Sequence, residues 1–183
     1  MRLFSVLALA LFLVVGCSDS VSVDTEAPVV ENGRFTPPNP ATKNLKISEI
    51  VANVVATQGE FETLLAALQA TGLDAAVDGR TIFTVVAPTD QAFSDIGLNK
   101  YNVGDLDKDF LTDVLLYHVK GGRFTAEIVL QQSALTMANG GTLKVDAGAP
   151  GFVDANGRSA GIVYTDIAAR NGIIHVIDTV VLP

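Results

Sequence analysis

Thr81-Ile82-Phe83-Thr84-Val85-Val86-Ala87-Pro88-Thr89-Asp90-Gln91-Ala92-Phe93 reads as a strand, a stop and a helix start in one stretch. Residues 81–86 are mostly β-branched or aromatic, which suits a buried strand. Ala87-Pro88 ends it, because proline has no N–H to continue a ladder. Thr89 suits a helix N-cap, and Asp90 falls in the first turn, where the helix dipole favours negative charge. A short helix over Gln91 to Ile96 follows.

Upstream of this stretch, helical period dominates. Structure is expected to begin at Leu45. A helix capped by Ser48 or a neighbour would carry Ile47, Ile50, Val51, Val54 and Val55 as one stripe. A second helix is predicted from about Glu60 to Ala70, with Phe61, Leu64, Leu65 and Leu68 at helical spacing and Gly72 as its stop. Leu73 to Val77 adds one short turn. Downstream, Asp107 to His118 makes a longer helix with Leu111, Val114, Leu115 and His118 on one face, ended by Gly121-Gly122. Beyond it the period shifts towards two. Strands are expected at Leu135–Ala138, Thr142–Val145, Gly161–Thr165 and Gly172–Leu182, with Asp-Ala-Asn-Gly at 154–157 as a turn. Helices in the first half and strands mostly in the second imply an α+β fold with a largely antiparallel sheet.

The polar residues on these elements have bland and sharp readings. His118 lies on an apolar stripe, so burial should favour its neutral form while its nitrogens still need partners. It is expected to be a core histidine bonded to a carboxylate or carbonyl, with Asp90 as candidate partner. His175 and Asp178 invite a catalytic pairing. Residues three apart on a strand point to opposite faces, however, and the apolar run around them reads as core.

No enzyme motif is present: there is no nucleophile elbow, phosphate loop or His-Glu-x-x-His pair. No catalytic residue, metal ligand or cofactor is therefore assigned. Asp105-Leu106-Asp107-Lys108-Asp109 lacks the glycine and distal glutamate of an EF-hand loop.

Three segments together carry a family resemblance. Thr84-Val85-Val86-Ala87-Pro88-Thr89-Asp90-Gln91-Ala92-Phe93 resembles the first signature of fasciclin domains. Leu115-Leu116-Tyr117-His118-Val119 resembles their central Tyr-His motif. Asn171-Gly172-Ile173-Ile174-His175-Val176-Ile177-Asp178-Thr179-Val180-Val181-Leu182-Pro183 resembles the closing signature. The order agrees, over about Leu45 to Pro183; Val86 departs from a frequent Phe. The resemblance implies a compact β-wedge or small barrel flanked by helices, and a role in adhesion or binding without catalysis. Thr89, Asp90, Tyr117, His118, His175 and Asp178 are its motif residues. In some animal members the Tyr-His motif is linked to receptor contact. Here a buried Tyr117 with a bonded hydroxyl is expected.

The N-terminus bears on location. Met1 and Arg2 precede the apolar run Leu3 to Val15, and Gly16-Cys17 follows. The run is short for a bilayer span, which needs roughly 20 apolar residues, and has the layout of a signal peptide. A cysteine at the cut point resembles the lipobox of bacterial lipoproteins. That implies removal of residues 1–16 and acylation of Cys17, giving an exported chain anchored in the cell envelope. Ser18 in place of an aspartate favours the outer membrane or cell surface. Residues 17–43, with Phe35-Thr36-Pro37-Pro38-Asn39-Pro40, read as a Pro-rich tether, although Val29, Val30 and Phe35 could pack on the domain. Residues 44–183 are then one domain.

Cys17 is the one cysteine, so once it is acylated no thiol is left for disulfides or thiolate metal sites. The chain has 12 basic and 20 acidic residues, a formal charge of −8, and its scattered cations make it a poor nucleic-acid binder. The expected partners are the membrane, through the lipid, and a protein or surface polymer. The alternative is a carrier or sensor for a small apolar ligand, held between the wedge and its helices.

Overall fold

The computed structural model describes residues 40–146 and 148–183. Cys17, the segment 1–16 and Val29, Val30 and Phe35 lie outside the described residues. Residues 40–43, read from sequence as tether, belong to a 3-10 helix, Pro40–Asn44, that packs on the sheet, with Thr42 buried.

Helix α1 runs Ile47–Gln58 and buries Ile47, Ile50, Val51 and Val54. Its N-cap is Lys46 rather than Ser48. Glu49 reaches back one turn to accept from the Lys46 backbone N–H (2.6 Å), and the Ser48 hydroxyl donates to Asp78. Helix α2, Glu62–Thr71, ends at Gly72, whose φ of 76° is open to glycine without strain. A turn of helix, α3, covers Asp74–Val77.

Strand β1 is Phe83–Pro88 and helix α4 is Asp90–Ser94. Helix α5, Lys108–Tyr117, is capped by Asp107, whose carboxylate accepts from Phe110 N–H at 2.9 Å. Leu111, Val114, Leu115 and His118 are all buried along its face. The chain does not wait for Gly121-Gly122 to leave the helix. It turns at His118 into a three-residue strand, β2 (Val119–Gly121), antiparallel to β1. A short helix α6, Ala126–Leu130, follows behind the Thr125 cap.

The remaining strands are β3 (Ala134–Thr136), β4 (Thr142–Asp146), β5 (Gly151–Val153), β6 (Ser159–Ala169) and β7 (Gly172–Ile177). The sheet order is β2-β1-β7-β6-β5-β4-β3. Among the described residues all ladders are antiparallel except β1 with β7, which is parallel. β6 is longer than the sequence implied and serves two neighbours. Its first residues pair with β5 and its later ones with β7, with register shifts between Ile162 and Ile167. Asp166, at φ 59°, lies in that irregular stretch.

The edge strands β2 and β3 meet through nearby groups. Ala138 N–H donates to Val119 C=O at 2.7 Å, and Lys120 Nζ to Thr136 C=O at 3.3 Å. The sheet thereby curls into the small β-wedge that covers its own edges.

β7 is shorter than the predicted 172–182. Its six residues are all buried, and its ladder ends at Ile177. The tail beyond is held by other groups: Arg158 donates to Val180 C=O (3.1 Å), and Leu182 N–H donates to the Asp154 carboxylate (3.1 Å). One apolar cluster joins α1, α2 and α5 to β1 and β7; a second, around Tyr117, Leu143, Phe152 and Ile177, fills the wedge. Burying each such side chain contributes about 1.5–3 kcal/mol, the dominant favourable term in folding.

Candidate functional site

The three motif segments converge on one place. β1 and β7 lie side by side in parallel, with Val86 opposite His175. The Tyr-His segment closes over them, since Val86 N–H donates to His118 C=O at 2.9 Å. Thr89 N–H donates to Ile177 C=O at 3.1 Å, tying the end of the first motif to the last strand.

Thr89 caps α4, its hydroxyl accepting from Ala92 N–H at 3.2 Å. Asp90 does not pair with His118. Its two carboxylate oxygens accept from Glu62 N–H (2.9 Å) and Thr63 N–H (2.8 Å), at the start of α2. The reason is local: the N-cap of α2 is Phe61, at φ 66°, whose side chain has no oxygen to offer. Orphan N–H groups at a helix start need an acceptor, and the neighbouring helix supplies one. Burial, with the charge of Asp90 nearby, pushes the Glu60 carboxyl up.

His118 is buried, with Nδ1 2.8 Å from Val114 C=O and Nε2 accepting from Val181 N–H at 3.4 Å. Its partners are a carbonyl and an amide, which fits a neutral ring. Desolvation lowers its pKa to about 4, against a smaller opposing effect of the Val114 bond. Tyr117 is buried and donates its hydroxyl to Thr142 C=O at 2.7 Å; burial pushes the phenol up.

His175 is buried and has other partners: Nε2 is 2.9 Å from Phe124 C=O, and Nδ1 accepts from Asp166 N–H at 3.3 Å. Desolvation lowers its pKa too. Asp178 is exposed, not core as the apolar run implied, because the strand has ended one residue before it. It accepts from Gly161 N–H (2.7 Å) and from the Thr179 hydroxyl (2.9 Å). His175 and Asp178 thus have separate partners.

Thr89 and Asp178 do share a groove. It encloses about 430 Å³ and is also lined by Glu60, Gln91, Asp95 and Val163. Among the described residues no cluster of three acidic, histidine or cysteine side chains is placed to hold a metal ion.

The long-range roles of two residues were not legible in the sequence. Asn171 is buried and bridges distant segments: its amide donates to Val77 C=O (2.6 Å) and accepts from Ile47 N–H (3.0 Å). No local pattern announces this. Asp154, read only as a turn residue, is buried. Burial alone would raise its pKa, but the N–H groups of Arg158 and Leu182 and the Arg158 guanidinium at 2.8 Å hold it below the usual value. An arginine four residues after the aspartate was the available signal.

Between helices and sheet, the space lined by Val51, Leu64, Leu68, Leu115, His118 and Val119 is about 20 Å³. Ligand pockets are typically about 300–1,000 Å³, so this interior offers no support for an apolar carrier. Among the described residues, the larger apolar side chains at the surface are Ile82, Ile96, Tyr101, Phe110, Ile128 and Val163, with Tyr101 at 83% exposure.

Comparison with known proteins agrees with this architecture. The Fasciclin domain model matches residues 59–183. Protein sll1483 of Synechocystis sp. is 37% identical over 136 residues, covering 73% of each chain. The transforming growth factor-beta-induced protein ig-h3 of Sus scrofa is 30% identical over 137 residues, 75% of this chain but 20% of that protein. The solved FAS1 domain pair from the insect cell adhesion molecule Fasciclin I superposes with a TM-score of 0.61 at 16% identity, covering 76% of this chain and 51% of that one. The chain belongs to the fasciclin-domain family.

Proposed function

We propose that this chain is a non-catalytic adhesion module, held outside the cytoplasm by a lipid on Cys17, that binds a protein or a surface polymer. One observation carries the reading. The side chains of Asp90, Tyr117, His118 and His175 are all engaged in bonds inside the fold. The conspicuous polar residues hold the domain together, so recognition falls to the surface, where loops carry side chains such as Tyr101. A module that grips without transforming needs a rigid frame and exposed contacts. Family membership and the cell-adhesion role of the insect protein that shares this fold support the same reading. A signal-like start followed by Gly16-Cys17 supports the anchor.

The test is attachment of beads coated with the purified full chain to host cells or surface extract. Saturable binding that survives His118→Gln at temperatures where the variant stays folded is expected. Loss of adhesion by that variant with unchanged melting would place recognition in the motif itself. Turnover of a substrate by purified protein would end the reading.

A further inference from the structure

The parallel pairing of β1 and β7 gives the molecule two electrically different ends. The ends of both strands lead into the groove lined by Glu60, Asp95 and Asp178. Their starts lead into another groove, of about 490 Å³, lined by Lys46, Asp78, Arg80, Ile82, Arg170 and Asn171. Six residues of strand separate the two, about 20 Å.

In the second groove the charge is reversed relative to a chain of −8. Asp78 is engaged by Lys46 at 3.7 Å and by the Ser48 hydroxyl. Arg80 and Arg170 are both exposed, and neither guanidinium meets a carboxylate among the described residues. Arg123 adds a further cation behind the turn, donating to Ala169 C=O at 3.0 Å and so buttressing the residue that precedes Arg170. Arginine forks suit planar oxyanions and hold their charge at any working pH.

The occupant is limited by what the rim offers. The backbone groups that lead into the strands beside it are already paired: Phe83 N–H with Asn171 C=O (3.0 Å), Gly122 N–H with Ile82 C=O (2.8 Å) and Arg170 N–H with Leu45 C=O (2.7 Å). An extended peptide therefore finds no ladder to join here. The surface is concave, a shape that suits a slender chain better than a flat bilayer. What fits is an anionic substituent projecting from a slender chain, with Ile82, 45% exposed, beside it for an apolar ring face. We propose that the groove formed by Arg80, Arg170 and Lys46 binds the carboxylates of an acidic polysaccharide. This rests on the adhesion reading and names the chemistry of its partner.

The test measures binding of alginate, a polyuronate, to the full chain in non-ionic detergent across a salt series. The expected result is saturable binding that weakens as salt rises. Arg80→Glu/Arg170→Glu should weaken it at least tenfold with unchanged melting, and Arg80→Ala/Arg170→Ala should weaken it less. No binding by the unaltered chain, or equal binding by the charge-reversed variant, overturns the proposal. So does tighter binding, through the same arginines, of polyglutamate, of phosphatidylglycerol in mixed micelles or of a second copy of the chain. Coated beads separate the two readings. Beads of the charge-reversed variant that adhere as well as the unaltered chain leave adhesion standing and remove the groove from it. Alginate binding by beads that do not adhere to cells supports the groove and removes the adhesion reading.

Discussion

His118 and His175 are both buried, yet their neighbours call for the ring proton on opposite nitrogens. Val114 C=O faces Nδ1 of His118, whereas Phe124 C=O faces Nε2 of His175. Each remaining nitrogen accepts a backbone N–H, so each ring is satisfied only when neutral. Desolvation holds both pKa values below the unfolded value, that of His118 at about 4. The unfolded chain then takes up protons first as pH falls. The stability that rests on the neutral rings is complete above about pH 6.5 and is lost as pH falls below it, for His118 down to about 4. For His118 the loss is on the order of 3 kcal/mol. Urea midpoints should fall steadily between pH 7 and 4.5, and His118→Gln should flatten that slope; an equal slope in the variant would contradict the account. Asp90 belongs to the same scale. Asp90→Ala should cost about 1–2 kcal/mol, the usual value of a helix cap, and leave the NMR titration of His118 where it was. A moved His118 titration would restore the pairing that the sequence suggested.

At the scale of elements, aspartates from one segment cap the helix of another. Asp90 of α4 serves α2, and Asp166 of β6 accepts from Ala126 N–H at the start of α6 (2.9 Å). Sequence patterns find caps that lie next to their helix, as with Thr89, because the acceptor sits within three residues of the N–H it meets. They miss caps that arrive through space. The same limit hid β2, β5 and α6. Three- and five-residue elements hold too few residues for a period to show, and β2 exists because β1 offers it a partner. Gly172 marks how tightly the parallel pair is built: a Cβ there would sit 2.1 Å from Phe83 C=O and 2.8 Å from Ile47 Cδ1. Gly172→Ala should therefore cost about 3 kcal/mol or more, in the range of severe overpacking. A thermal melt within a degree or two of the unaltered chain would show that β1 and β7 can separate without penalty.

For the whole molecule, the proposed lipid on Cys17 is what would fix its location. With an acyl anchor, the full chain should sediment with membranes and incorporate labelled fatty acid. Cys17→Ala should accumulate as the unprocessed form and take up no label; unchanged labelling would place the lipid elsewhere. Arg80 and Arg170 lie far apart in sequence and look scattered there, but the β6–β7 turn and the start of β1 bring them to one groove. Local chemistry was enough to mark the long helices, the buried strands, the cap at Thr89 and the three family motifs. Each depends on residues within a turn or a strand of one another, and such patterns survive without a partner. Pairing across long separations decided the rest: the parallel β1–β7 register, the division of β6 between two neighbours, Asn171 between Ile47 and Val77, and the opposite charge of the two ends. Those contacts form only when apolar faces are buried together, and burial is a property of the folded chain, not of any window along it.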